Sequence, residues 1–214
     1  MKKERGKVRE EKKILSKAEK ERLAQFEKRS EEMKQQGYTR HELTVSIGAA
    51  NAFALILLIP LFVGGCGLFY LLHHTLAFAR LNMVVFLIAI VLLIVVHELI
   101  HGLCWSFFTP HHFQQIRFGV MMPSLTPYCT CLVPLPKGAY IFGAVMPLIV
   151  LGIVPMIAAI IIGEPTLLLI GIIMTDSAAG DIMIIWNLLR YKSSASEVIY
   201  MDHPTEAGGV VYER

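Results

Sequence analysis

Residues 81–96, with the sequence LNMVVFLIAIVLLIVV, form an apolar run without an ionisable side chain, and HELIH at residues 97–101 follows it directly. Ionisable groups inside a membrane helix are costly, so they mark a functional site by default. The apolar sequence resumes at residues 102–108, which places His97 and His101 within the hydrophobic segment. The alternative interpretation is a helix end at the membrane surface, where polar side chains simply face lipid headgroups.

The spacing within HELIH suits one particular chemistry. Residues four apart on an α-helix lie on the same face, with Cβ atoms roughly 5–6 Å apart, so two imidazoles can bind one Zn²⁺. Glu98 stands beside the first histidine, where its carboxylate can reach a zinc-bound water as general base. The pattern predicts His97 and His101 as metal ligands and Glu98 as the catalytic residue.

The composition indicates a membrane domain with a charged tail ahead of it. Only 17% of the residues are charged, against about 25% in a typical soluble domain. Residues 1–40 hold 14 of the 20 basic and 8 of the 17 acidic residues. We expect a charged cytoplasmic helical tail at 1–40, a membrane domain at 41–190 and a cytoplasmic C-terminal tail at 191–214. The N-terminal helix, ending near Gly37, is either solvated or drawn to anionic headgroups.

Four segments are apolar over the length of about 20 residues that a membrane helix needs. They are residues 45–72, 81–108, 139–162 and 166–189. With alternating spans, the N-terminal tail, the 109–138 loop and the C-terminal tail share one side, which holds every Lys and Arg except Arg80. Basic residues favour the cytoplasmic side. We therefore expect an integral membrane protein of a bacterial cell membrane with both termini in the cytoplasm.

The loop between the second and third spans differs from a membrane helix. Residues 128–133 are rich in strand formers, and prolines flank them on both sides. This pattern favours a short β-hairpin or a re-entrant segment. The expected fold class is therefore an all-α membrane protein with four transmembrane helices and that one short element between helices 2 and 3. Residues 197–200 and 209–212 predict a small strand pair in the C-terminal tail.

A catalytic zinc usually keeps three protein ligands, and the fourth span offers two acids for the third position. His97 lies 16 residues after Leu81, and Asp181 lies 15 residues after Thr166, at the starts of two parallel spans. At 1.5 Å per residue these two are nearly level, whereas Asp176 would lie about 7 Å further outward. Depth favours Asp181 as the third ligand but leaves Asp176 open, with a helix–helix hydrogen bond as its alternative role.

With HELIH at 97–101 and Gly180-Asp181, the chain resembles the bacterial putative zincin peptidase family of membrane HExxH proteins, which is similar to the site-2 protease class of intramembrane metalloproteases. The likeness covers most of residues 45–212 and includes the tail motif Asp202-His203-Pro204. The chain departs from the site-2 class in lacking its Asn-Pro-Asp-Gly and Leu-Asp-Gly signatures.

Members of that class use two histidines and an aspartate as zinc ligands and a glutamate as base. The resemblance implies these roles for His97, His101, Asp181 and Glu98. It also implies a zinc-dependent hydrolase that cleaves membrane-embedded or membrane-proximal peptide bonds. The expected partners are the lipid bilayer and a membrane-protein or peptide substrate, and no nucleic acid. The alternative is a non-catalytic scaffold or transporter accessory protein with a structural metal site.

The positions of the four cysteines predict their redox state and role. Cys66 and Cys104 fall in apolar segments, where a free cysteine behaves as a small hydrophobe. Cys129 and Cys131 are spaced more tightly than a structural zinc pair. We expect all four to be reduced and structural, with a regulatory thiol pair at 129 and 131 as the alternative.

Overall fold

The computed structural model describes residues 17–78, 81–121 and 126–214 and is mostly helical. The helices are α1 (Lys17–Gln35), α2 (Ile47–His73), α3 (Met83–Ser106), α4 (Lys137–Pro147), α5 (Val154–Ile162), α6 (Pro165–Ser177) and α7 (Ala179–Arg190). The strands are β1 (Thr39–Val45), β2 (Ile116–Met121), β3 (Thr126–Cys131), β4 (Leu135–Pro136), β5 (Val198–Asp202) and β6 (Ala207–Glu213). The part of the predicted N-terminal helix before residue 17 lies outside the described residues.

Three stretches are long and apolar enough to cross a membrane. They are α2, α3 and the continuous helix Lys137–Ile162, in which a π-helical turn joins α4 to α5. The start of α3 is fixed by Asn82, whose Oδ1 accepts the backbone N–H groups of Val84 and Val85 at 3.0 and 3.1 Å. Large apolar side chains are exposed along α2 and α3. These faces are suited to lipid, as expected for membrane helices.

The fourth expected span is broken. Residues 166–189 form two helices, α6 and α7, which meet at Ala178 with a bend of 46°. Just before the break, the Ser177 hydroxyl donates to the carbonyl of Met174 at 2.8 Å, a side-chain bond of the kind that bends helices. The consequence is that Asp181 lies in the first turn of a new helix.

A four-stranded antiparallel sheet in the order β1-β6-β5-β4 corrects the all-α expectation. β5 and β6 pair within the C-terminal tail, where a strand pair was predicted, and β6 also pairs with β1 from Thr39↔Glu213 to Val45↔Ala207. β1 was not predicted, because it directly precedes the first apolar helix. The boundaries expected at residues 40 and 190 stay predictions.

The sheet collects segments that precede α2, connect α3 to α4, and follow α7. The chain therefore returns to the same end of the molecule after each pair of apolar helical segments. At the opposite end, His73 at the end of α2 forms a hydrogen bond with the carbonyl of Ile160 in α5 at 2.7 Å. β1 and the β5–β6 pair therefore lie at one end of the helices.

A second, two-stranded sheet lies between α3 and α4. β2 and β3 pair antiparallel from Ile116↔Cys131 to Met121↔Thr126, so the predicted strand residues 132 and 133 fall beyond it. The pair packs on α3 at Gly102, where a Cβ atom would collide with the ring of Phe118. This close approach holds β3 beside the HELIH end of α3.

Candidate metal centre

Three side chains predicted as metal ligands meet at the end of α3. The Nε2 atoms of His97 and His101 are 3.1 Å apart, as expected for residues one helical turn apart. Asp181 reaches them from α7, with Oδ2 at 3.1 Å from His97 Nε2 and Oδ1 at 3.4 Å from His101 Nε2. The two histidines are only 6% and 4% exposed. The three residues form a group that could hold a metal ion.

The donor types suit zinc. Two imidazole nitrogens and a carboxylate oxygen belong to the donor set that zinc accepts, and ligands at ~2.0–2.1 Å from Zn²⁺ lie roughly 3.3 Å apart at the corners of a tetrahedron. The two imidazole nitrogens are 3.1 Å apart, close to that spacing. The carboxylate approaches the two histidines through different oxygens, Oδ2 on the His97 side and Oδ1 on the His101 side. With one donor atom from each residue, the three donors lie within 4.8 Å of one another.

The orientation of His101 is fixed by residues of α3 and α4. Its Nδ1 donates to the carbonyl of Gly143 at 2.8 Å, and its ring stacks on Trp105 with centroids 5.2 Å apart. The indole N–H of Trp105 in turn donates to the carbonyl of Tyr140 at 3.1 Å. A hydrogen bond at Nδ1 leaves the lone pair on Nε2, which is the atom that faces Asp181. By contrast, His97 Nδ1 is buried without a hydrogen-bond partner in the described part of the chain.

A cavity of about 210 Å³ opens beside the three ligands, between the apolar helices and the four-stranded sheet. The lining residues that matter here are Arg22, Glu98, Tyr128, Cys129, Asp181 and Asp202. The backbone amide of Cys129 is a hydrogen-bond donor to the Glu98 carboxylate. The strand β3 therefore positions the acid of HELIH within the same cavity as the ligands.

Asp202 joins three parts of the cavity wall. Its Oδ2 accepts the backbone N–H of Cys131 at 2.7 Å, and its Oδ1 accepts the hydroxyl of Tyr140 at 2.6 Å. Desolvation raises the pKa of this carboxyl above its ordinary value, and both hydrogen bonds oppose that shift. The contact ties the C-terminal strand β5 to β3 and to α4.

Comparison with protein families finds a match to the family described as "Putative zincin peptidase" over residues 90–196. The matched segment makes up half of the 214-residue chain and contains the whole ligand group. The chain belongs to this zincin peptidase family. No curated protein and no solved structure matches it. Zincins are zinc proteins, so family membership and the donor geometry agree on the metal.

Asp176, the other acid of the bent span, does not lie with the three candidate ligands. Asp176 lies near the end of α6, and its Oδ1 is buried without a hydrogen-bond partner among the described residues. Of the two candidates, the structure thus brings Asp181 and not Asp176 to His97 and His101. The helix–helix hydrogen bond expected for Asp176 is not made by that oxygen.

The four cysteines of this zincin are free thiols. Burial raises the pKa of Cys131 to about 12 and that of Cys129 further still. Both thiols are therefore protonated at neutral pH in this conformation, and a protonated thiol is a poor nucleophile.

Gly143→Ala is expected to weaken both folding and metal binding. A Cβ atom at this position would overlap the indole ring of Trp105, so Trp105 and the stacked His101 must shift. Overpacking of this kind costs about 1–3 kcal/mol of folding free energy, and disturbing a ligand's support typically costs about 10–100-fold in metal affinity. Thermal unfolding and zinc titration measure the two effects.

The matched control for that substitution is Gly138→Ala, also in α4, where a Cβ atom would have no neighbour within 4 Å. We expect its unfolding temperature and zinc affinity to equal or slightly exceed those of the wild type, because alanine is the better helix former. Equal behaviour of the two variants would show that the Trp105 contact does not support the site.

Proposed function

We propose that the chain is a zinc-dependent intramembrane peptidase similar to the site-2 proteases, with His97, His101 and Asp181 as metal ligands and Glu98 as general base. The observation that carries the proposal is the convergence of His97, His101 and Asp181, whose donor atoms lie within 4.8 Å of one another beside a cavity that Glu98 also lines. Family membership supports peptide hydrolysis as the reaction.

When bound, zinc supplies a Lewis acid that polarises the scissile carbonyl and lowers the pKa of water. His97, His101 and Asp181 would hold the zinc, and the cavity beside them would admit water and substrate. Glu98 accepts one proton as the water oxygen bonds to the carbonyl carbon. It returns that proton to the amide nitrogen as the carbon–nitrogen bond breaks. The products are a carboxylic acid and an amine.

The substrate is a peptide in extended conformation, because a helix hides its amides in internal hydrogen bonds. The N–H groups of Cys129 and Cys131 bond to the carboxylates of Glu98 and Asp202, which shows that β3 has an edge facing the cavity. A substrate segment that adds to this edge as a further strand places its backbone beside the ligand group. Binding in this mode would replace the carboxylates as partners of those amides.

The sheet supports a topology of four crossings. Because β1, β4, β5 and β6 pair in one sheet, α6 and α7 together must return the chain to the end from which α4 left, as one bent span does. Basic residues are concentrated in the segments at that end, which favours the cytoplasmic side. Both termini then lie in the cytoplasm, and cleavage releases a cytoplasmic fragment.

Membranes that contain the protein provide the test. We expect mass spectrometry of peptide termini to find new termini within or beside apolar segments, to lose them after a zinc chelator, and to recover them when zinc is restored. The same protein in unchelated membranes is the reference. A zinc-loaded protein that produces no new termini in any of these samples would contradict peptidase function and favour the scaffold.

A further inference from the structure

The N-terminal helix α1 places a mixed stripe of side chains against the rest of the molecule. Its fully buried positions are Glu19, Arg22, Phe26 and Met33, which recur at helical spacing along one face. The stripe has two unlike halves. The two charged residues lie at the N-terminal end of the helix, and the two apolar residues lie towards its C-terminal end.

The apolar half anchors α1 to the four-stranded sheet. Phe26 and Met33 belong to one buried cluster with Tyr38 after the helix and with Met201, Val210 and Tyr212 on β5 and β6. Burial of such side chains contributes ~1.5–3 kcal/mol each. This end of the helix is therefore firmly seated.

The charged half lies over the metal cavity. Arg22 is only 9% exposed and lines that cavity, with its guanidinium carbon 4.2 Å from the ring centroid of Tyr128 on β3. Its Nε is buried without a hydrogen-bond partner in the described residues. Buried charged and incompletely satisfied groups pay a desolvation cost that apolar groups do not. Arg22 therefore holds α1 less firmly than Phe26 and Met33 do.

We propose that α1 is a lid over the metal cavity, hinged at its apolar half and held shut by the contact of Arg22 with Tyr128. The lid rests on the proposed function, since it controls the access of the extended peptide to Glu98 and the ligand group. Opening lifts Arg22 off the ring of Tyr128 and widens the cavity beside the strand edge where the peptide is expected to bind.

The size of the cavity favours movement of one of its walls. At about 210 Å³ it is smaller than the ~300–1,000 Å³ of typical ligand pockets. An extended peptide advances about 3.3 Å with every residue. Movement of a wall would therefore give a substrate segment of several residues more room.

Among the walls, α1 is the element that can leave at the lowest cost. In the described part of the chain, its backbone hydrogen bonds are internal or made to the turn that follows it. Moving β2–β3 or β5–β6 would break backbone ladders, whereas moving the charged half of α1 breaks side-chain contacts alone. Local opening follows the least stable element.

Cys129 reports the opening. It lies in the cavity next to Tyr128, and its thiol becomes reactive when water reaches it. We expect N-ethylmaleimide to modify Cys129 slowly in the full-length wild type and about tenfold faster in Arg22→Ala, since a desolvated cation–π contact shifts an equilibrium by about that factor. Peptide mapping distinguishes Cys129 from the other three thiols. Arg22→Lys, which keeps the charge, should fall between the two rates.

Arg29→Ala is the matched control, because Arg29 lies on α1 and pairs with Glu32 at the surface. It should label at the wild-type rate. Hydrogen exchange provides a second readout: in Arg22→Ala, amides of residues 19–26 should exchange faster while those of residues 31–35 stay as in the wild type. A side chain that merely fills space would not produce this asymmetry.

Wild-type labelling in Arg22→Ala, equal acceleration in Arg29→Ala, or exchange that rises uniformly along α1 would each overturn the lid. All of these measurements need no peptide substrate. Labelling that responds to Arg22 without any hydrolysis would refute the peptidase and keep the lid, and zinc-dependent hydrolysis with unchanged labelling would refute the lid alone.

Discussion

Glu98→Gln is expected to abolish peptide hydrolysis while the protein keeps its zinc. The amide has the size of the carboxylate but cannot accept a proton from water. General-base catalysis contributes about 10²–10⁴-fold to the rate, so we expect the formation of new peptide termini to fall about 10³-fold. His97, His101 and Asp181 are untouched, so the zinc content measured in the same sample should equal that of the wild type.

A control for the loss of one negative charge is Glu197→Gln. Glu197 is an exposed acid that pairs with Arg214, remote from the cavity lining. It should hydrolyse at the wild-type rate. If Glu98→Gln cleaves as fast as this control, the assigned role of Glu98 is wrong, whatever its zinc content.

Asp181→Ala is expected to cause the largest loss of zinc of any substitution outside HELIH. The substitution removes the only carboxylate of the three-residue group and leaves the two imidazoles of His97 and His101. The loss should exceed the ~10–100-fold that follows when a partner of a ligand is removed. Competition with a chromophoric chelator measures the affinity directly.

Asp176→Ala is the natural control, because it removes an acid five residues earlier on the same bent span. Its Oδ1 makes no hydrogen bond in the described chain, so we expect its zinc affinity to match the wild type. The reverse result, with zinc retained in Asp181→Ala and lost in Asp176→Ala, would reassign the third ligand.

The convergence of His97, His101 and Asp181 could be predicted from sequence because its determinants are local and regular. The i,i+4 spacing of His97 and His101 follows from the helix period alone. Counting residues from the starts of two apolar runs was enough to rank Asp181 over Asp176, since the rise per residue is constant. The same regularity predicted apolar helices and the strand pair of the C-terminal tail.

The supporting residues were not accessible because their contacts join distant segments. Tyr140 and Asp202 are 62 positions apart. The family resemblance includes Asp202 in its tail motif, but no sequence pattern joins that residue to Tyr140. The role of Trp105 depends on its packing against Gly143, whose missing side chain leaves space for the indole ring. Nothing in the sequence around Trp105 indicates this contact. The bend at Ala178 lies in a short polar interruption of the apolar run, with Asp176 and Ser177 before it and Asp181 after it. Because the two acids were interpreted as candidate ligands, the interruption was not interpreted as a break in the helix.

The pairing of β1 with β6 has a consequence for the order in which the molecule is completed. β1 precedes the apolar helices and lies at the edge of the sheet, and its partner β6 follows those helices. During synthesis, β1 therefore cannot pair with β6 until all of these helices have been made. Asp202 and the turn to β6 are also synthesised after these helices. Until then, the cavity lacks the wall that β5 and β6 provide. The candidate metal site is therefore completed only after the C-terminal strands have been synthesised.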